Sequence, residues 1–196
     1  MIDTQTTSWV ILAGGQATRM GGQDKGLIEF NGKPLIEHVM TRLSLQHHDI
    51  YINANRHQEH YQHYAPVFCD SLANYPGPLG GIHAALTQLS KQWIGFVPCD
   101  SPYLPEDLVS RLCARVTAAT DLVAAHDGQY PQPVFTLIHR RTLPTLEAFL
   151  ASGERKMQHF HQQVNTEYVD FSDSPNAFIN LNTPQQLTEL GQNKNE

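Results

Sequence analysis

The sequence LAGGQATRMGGQDKGL at positions 12 to 27 sets glycines, an arginine and a lysine directly after a short apolar run. Gly14 and Gly15 permit close backbone approach, so their amide N–H groups can face an anion with no Cβ in the way. Arg19 and Lys25 add mobile positive charge to those fixed donors. Together they read as a cradle for a polyphosphate. A glycine pair alone would only mark a turn, and it is the preceding strand and the two cations that make this one a candidate site. The usual phosphate motifs are absent. Gly32-Lys33 has Leu27 where a GxxxxGK[ST] loop needs its first glycine, and no GxGxxG occurs, which argues against a P-loop NTPase and a dinucleotide oxidoreductase.

Asp100, in VPCDSPYLP, is the candidate ligand for a divalent cation. A lone carboxylate repels a triphosphate, whereas Mg²⁺ held between carboxylate and phosphate oxygens bridges them. Asp70 and Asn53 are candidates for reading a base, since guanine offers N1–H and N2–H donors that a carboxylate or amide oxygen can accept. The loop YPGPLGGI, Tyr75 to Ile82, offers a second close backbone approach ahead of a helix. His57, His60 and His63 recur at i, i+3 and i+6, which fits a solvated helix face.

These residues need a scaffold that gathers them. Trp9 to Ala13 is apolar throughout, as suits a strand buried on both faces of a parallel sheet. Strand-like runs at 8–13, 49–54, 66–69, 92–97 and 121–125 alternate with helical stretches at 34–45, 57–64, 80–90 and 105–118, the pattern of a doubly wound α/β fold. Pro34 and Pro105 are expected in first helical turns. Beyond Gly128 come a strand over 134–138, a helix over 142–151, a strand over 167–171 and a closing helix over 184–190. In an open parallel sheet, ligands bind outside the carboxyl ends of the strands. Those ends carry Leu12 to Gly15, Asn53 to Asn55, Cys69-Asp70 and Pro98 to Asp100.

Composition bounds the rest. At 196 residues the chain is expected to form one domain over residues 1–190, with 191–196 a disordered tail. A net charge of −6 argues against nucleic acid as a partner. Cys69, Cys99 and Cys113 have no CxxC spacing and an odd count, so they read as reduced thiols in a cytoplasmic protein. The apolar stretch of the N-terminus is too short for a signal peptide or a membrane span.

The motifs LAGGQATRMGGQDKGL, GKPL at 32–35, NANR at 53–56, DSLANYPGPLGGI at 70–82, PCDSPYLP at 98–105 and NLNTPQQL at 180–187 together resemble the molybdenum cofactor guanylyltransferase (MobA) family, over about Ser8 to Leu190. The resemblance implies a three-layer, mostly parallel, Rossmann-like nucleotidyltransferase fold. It also implies Mg²⁺-dependent transfer of GMP from GTP to molybdopterin or its molybdenum-loaded form. It puts GTP on Leu12, Ala13, Gly14, Lys25, Asn53, Asp70 and Asp100, with Mg²⁺ on Asp100. Gly15 and Gly22 complete the loop, Lys25, Arg19 and Asp100 carry the chemistry, and the pterin side falls near Arg155, Lys156, Asn180 and Asn182. Other cofactor-biosynthesis proteins and molybdoenzyme chaperones are the implied protein partners, and a monomer is the default. YPQP at 130–133 departs from the HP-type sequence of some relatives and stays outside the catalytic set. Two rival readings remain: a nucleotidyltransferase of the same fold acting by sugar-phosphate or cytidylyl transfer, and a non-catalytic GTP-binding scaffold.

Overall fold

A computed structural model describes residues 1–14, 24–72, 77–174 and 176–181. Its strands are β1 (Thr7–Leu12), β2 (Glu29–Phe30), β3 (Lys33–Pro34), β4 (Ile50–Asn53), β5 (Val67–Phe68), β6 (Trp93–Pro98), β7 (Leu122–His126), β8 (Pro131–His139) and β9 (Thr166–Asp170). Its helices are α1 (Leu35–Ser44), α2 (Gln58–Tyr61), α3 (Pro78–Gln88), α4 (Leu108–Arg115), α5 (Leu143–Ala151) and α6 (Met157–His161). Seven strands form one sheet in the order β5-β4-β1-β6-β8-β7-β9, and β2 and β3 form a small separate hairpin. All ladders of the large sheet are parallel except the two that β8 makes with β6 and β7. The doubly wound α/β expectation therefore holds.

Three layers follow from the alternation of side chains along β1. Trp9 and Ile11 point into one core with Ile36, Val39 and Leu43 of α1 and Leu108 and Leu112 of α4. Val10 and Leu12 point the other way, into a core with Leu79 and Ile82 of α3, Leu146 of α5 and Phe160 of α6. Each large apolar side chain fully buried in this way contributes about 1.5–3 kcal/mol. β1 is buried along its whole length, which is why its sequence reads as a continuous apolar run.

Gly95 pairs with Trp9 across the β1–β6 ladder, and a Cβ there would fall within 3.0 Å of atoms of the Trp9 ring. Trp9 has no solvent-exposed surface and donates its indole N–H to Thr7 Oγ1 at 3.1 Å, so the ring has little freedom to retreat. Gly95→Ala is expected to destabilise the fold by about 1–3 kcal/mol through overpacking. A thermal melt checks this, at about 2–4 °C per kcal/mol for a chain of this size. An unchanged Tm would remove the steric reading.

Several boundaries differ from expectation. Pro34 lies in β3 and serves as the N-cap of α1, and Pro105 precedes α4 by a turn; it is Pro78 and Pro144 that occupy first helical turns. The β2–β3 hairpin and the five-residue α6 are too short to leave a periodic signal. The expected helix over 184–190 and the tail 191–196 lie outside the described residues. Among the described residues no helix is long and apolar enough to cross a membrane.

Candidate active site

The strands β5, β4, β1 and β6 run parallel, so their carboxyl ends share one edge. The chain leaves β1 for β4 on one side and later returns to form β6 on the other, which makes the gap between β1 and β6 the switch point where such sheets hold ligands. A cleft of about 660 Å³ lies there. It opens because β8 parts from β6. Their ladder ends at Phe96 and Thr136, while β6 continues to Pro98 beside β1. On its other side β8 pairs Thr136 with Ala124 and then Gln132 with Ala125, leaving Pro133, Val134 and Phe135 bulged out of the ladder. Gln132 to Phe135 form the far wall of the cleft, a segment that the sequence reading left outside the catalytic set. A Pro-containing run beside a bulge gives no periodic signal that would single it out.

Leu12, Ala13 and Gly14 form the near wall. A Cβ on Gly14 would stand 3.0 Å from Asn55 Nδ2 and 3.1 Å from Asn53 Oδ1, which is why a glycine suits this position. Gly77, at φ 67°, takes a left-handed turn that delivers Pro78 to the first turn of α3 and sets the helix N-terminus against the cleft.

Charge concentrates at one place. Lys25 Nζ donates to Asp100 Oδ2 at 3.0 Å, with the Asp100 side chain only 11% exposed. Both line the cleft, as does Asp24 beside them. Cys99 is buried next to Asp100, and burial first, then the Asp100 carboxylate, push its thiol pKa well above the ordinary value. It therefore stays a thiol and not a nucleophile. Asn180 also lines the cleft; its Oδ1 accepts from Ser101 Oγ at 2.5 Å, and Leu181 N–H donates to the Asp100 carbonyl at 3.0 Å. These bonds bring a segment eighty residues downstream back to the Asp100 turn.

Asp70 stands behind Asn53. Its Oδ1 accepts from Asn53 Nδ2 and its Oδ2 from Asn55 Nδ2, both at 3.0 Å, while Asn55 Oδ1 accepts the Asp70 backbone N–H at 2.8 Å. Asn53 lines the cleft and Asp70 does not, so the carboxylate orients the amide. Arg155 is not brought to the cleft. It is exposed and donates Nη1 to the Leu150 carbonyl at 2.8 Å, capping α5, and Lys156 is exposed ahead of α6. Gly15, Arg19, Gly22 and Asn182 lie outside the described residues. His57, His60 and His63 are exposed on and around α2, as a solvated face would be; the informative residue there is the buried Tyr61, which the histidine periodicity obscured.

The donor set suits Mg²⁺. The ion takes one or two carboxylates and leaves its other positions to water and phosphate oxygens. Asp100 offers a second oxygen beyond the one that Lys25 engages, and Asp24 lines the same cleft. Among the described residues no group of three or more His, Cys, Asp or Glu could form an all-protein cage.

An open α/β sheet with a glycine-walled, lysine-bearing cleft at its switch point marks the chain as a nucleotidyltransferase. The model of the MobA-like NTP transferase domain matches residues 9–166, and the chain belongs to that family. It is 59% identical over 192 residues, 98% of each chain, to the molybdenum cofactor guanylyltransferase of Vibrio vulnificus strain YJ016. It is 60% identical over 191 residues, 97% of this chain and 98% of the other, to the protein of the same name from Vibrio atlanticus strain LGP32. Among solved structures it is similar to molybdopterin-guanine dinucleotide biosynthesis protein A from Archaeoglobus fulgidus. That match has a TM-score of 0.77 at 21% identity, covering 96% of this chain and 98% of that one, and shows the shared fold.

Proposed function

We propose that this chain transfers GMP from GTP to the terminal phosphate of molybdopterin or its molybdenum-loaded form, releasing pyrophosphate and forming the guanine dinucleotide cofactor. The observation that carries this reading is near-full-length identity of 59–60% to proteins named molybdenum cofactor guanylyltransferase. The Lys25–Asp100 pair at the strand ends supports it with suitable chemistry.

An oxygen of the acceptor's terminal phosphate attacks the α-phosphorus of GTP. The bond from that phosphorus to the oxygen bridging the β-phosphate breaks in line, and pyrophosphate departs. No protein nucleophile takes part, so the residues act by orientation and electrostatics. Leu12 to Gly15 and Gly22 bring bare backbone against the nucleotide. Asn53, held by Asp70, meets the guanine edge. Lys25 and Arg19 neutralise phosphate oxygens, with Lys25 exchanging its Asp100 partner for the triphosphate. Asp100 would hold Mg²⁺, which when bound would supply charge neutralisation at the phosphates and the leaving group. Asn180 and Asn182, with Arg155 and Lys156, serve the pterin side. The Arg155 guanidinium has to leave the Leu150 carbonyl to do so.

Three free cysteines, two of them buried, suit a reducing cytoplasm. There the chain acts as a single nucleotidyltransferase domain and a monomer, meeting other cofactor-biosynthesis proteins and molybdoenzyme chaperones. The test is pyrophosphate release from GTP, CTP and ATP, with and without molybdopterin and Mg²⁺. Turnover is expected only with GTP when acceptor and metal are both present. Equal turnover with CTP, or a tight GTP complex that never releases pyrophosphate, would overturn the reading.

A further inference from the structure

α2 is a single four-residue turn whose one buried residue is Tyr61. The phenol is fully buried, in the core that also holds Ala54 and Cys99 and touches Leu27. Its hydroxyl donates to Asp24 Oδ1, and the same oxygen accepts the Gly26 N–H at 3.3 Å. The Asp24 carbonyl accepts from Leu27 N–H at 3.1 Å and the Lys25 carbonyl from Ile28 N–H at 3.2 Å, closing a 3-10 turn over Lys25–Leu27. Lys25 is the first residue of that turn, and its amine meets Asp100. The hydroxyl end of the ring also packs against the turn: a Cβ on Gly26 would come to 2.5 Å from the Tyr61 hydroxyl and 3.1 Å from its Cε1.

We propose that Tyr61 is a positioning residue for nucleotidyl transfer, acting through Asp24 to fix the turn that aims the Lys25 amine at the triphosphate. The inference rests on the cleft being the nucleotide site. Nothing else in the α2 sequence needs a buried phenol: a phenylalanine would fill the same core, and the hydroxyl has Asp24 as its partner. The phenol and the backbone amide both hold Asp24 Oδ1 and so restrain the turn, and a lysine displaced by an ångström loses its grip on a transition state.

Tyr61→Phe tests this, alone and combined with Lys25→Ala. The single variant is expected to lower kcat about ten- to a hundredfold, with KM for GTP changed by less than about threefold and Tm nearly retained. In the Lys25→Ala background the same change is expected to cost less than about twofold, since there is no amine left to aim. A crystal structure of Tyr61→Phe supplies a readout independent of turnover, with Lys25 Nζ expected to have left Asp100 Oδ2. Gly26→Ala, which drives the phenol from Asp24 while keeping it, is expected to reproduce both effects. An equal loss of kcat in both backgrounds, full activity of Tyr61→Phe, or an undisturbed Lys25–Asp100 pair in its crystal structure would each overturn the proposal. Absence of turnover in the unmodified protein would instead count against the functional reading, and the crystal structure would still decide the role of Tyr61.

Discussion

Lys25→Ala is expected to lower kcat for GMP transfer about 10²–10³-fold, and Asp100→Ala to do the same, by analogy with removing one preorganised group from a transition state. The two side chains form a single electrostatic unit, 3.0 Å apart and shielded from solvent on the Asp100 side. Groups that act as a unit are not additive, so the double variant is expected to be little worse than the poorer single one. The two losses differ in kind. Lys25→Ala is expected to keep a dependence on Mg²⁺ while losing charge on the phosphates, and Asp100→Ala to flatten the Mg²⁺ dependence as well. Steady-state kinetics across a Mg²⁺ titration separates them. Full Mg²⁺-dependent turnover by Asp100→Ala would take that residue out of its assigned role.

The second large effect is on stability. His161, on α6, is 2% exposed, and among the described residues neither ring nitrogen has a hydrogen-bond partner. Burial pulls its pKa down to about 4, opposed only by the Pro133 carbonyl, which lies close enough to favour charge without making a bond of good geometry. The folded protein thus keeps this ring neutral where the unfolded chain, near pKa 6.5, takes up a proton. The sign follows: the contribution is complete above pH 6.5, declines as pH falls from there toward 4, and below that leaves a fixed penalty of about 3 kcal/mol. His161→Leu removes it. Chemical denaturation of both proteins at pH 7, 5.5 and 4.5 is expected to show wild-type stability falling faster with acid than that of the variant. Parallel losses would show that the ring does not carry the dependence.

The parallel half of the molecule was legible in the chain. β1 announces itself because both of its faces are buried, and the residues ending β1, β4 and β6 border the cleft because crossover connections force those ends onto one edge. What escaped has physical reasons. Tyr61 looks like one aromatic among histidines, and only its long-range bond to Asp24 distinguishes it. Asp24 itself reads as a turn residue, since its value lies in a partner 37 positions away. Asp70, expected at the base together with Asn53, accepts from two asparagine amides and does not line the cleft, and no spacing rule reveals which member of such a network faces it. The far wall depends on three residues slipping out of a ladder, a matter of strand register that composition does not encode.

That slipped segment separates two kinds of freedom. The strands whose ends border the cleft are locked to one another residue by residue, from Trp9 against Ile50 to Leu12 against Pro98, so any insertion there shifts every neighbour. The hairpin tip between β7 and β8 hangs from a carboxylate at Asp127 that gathers the Gln129 and Tyr130 amides and the Gln132 side chain, and its neighbours are β9 and Ser172, not β1, β4 or β6. A change of length at residues 127–130 is therefore expected to leave the register of β1 with β4 and β6 intact.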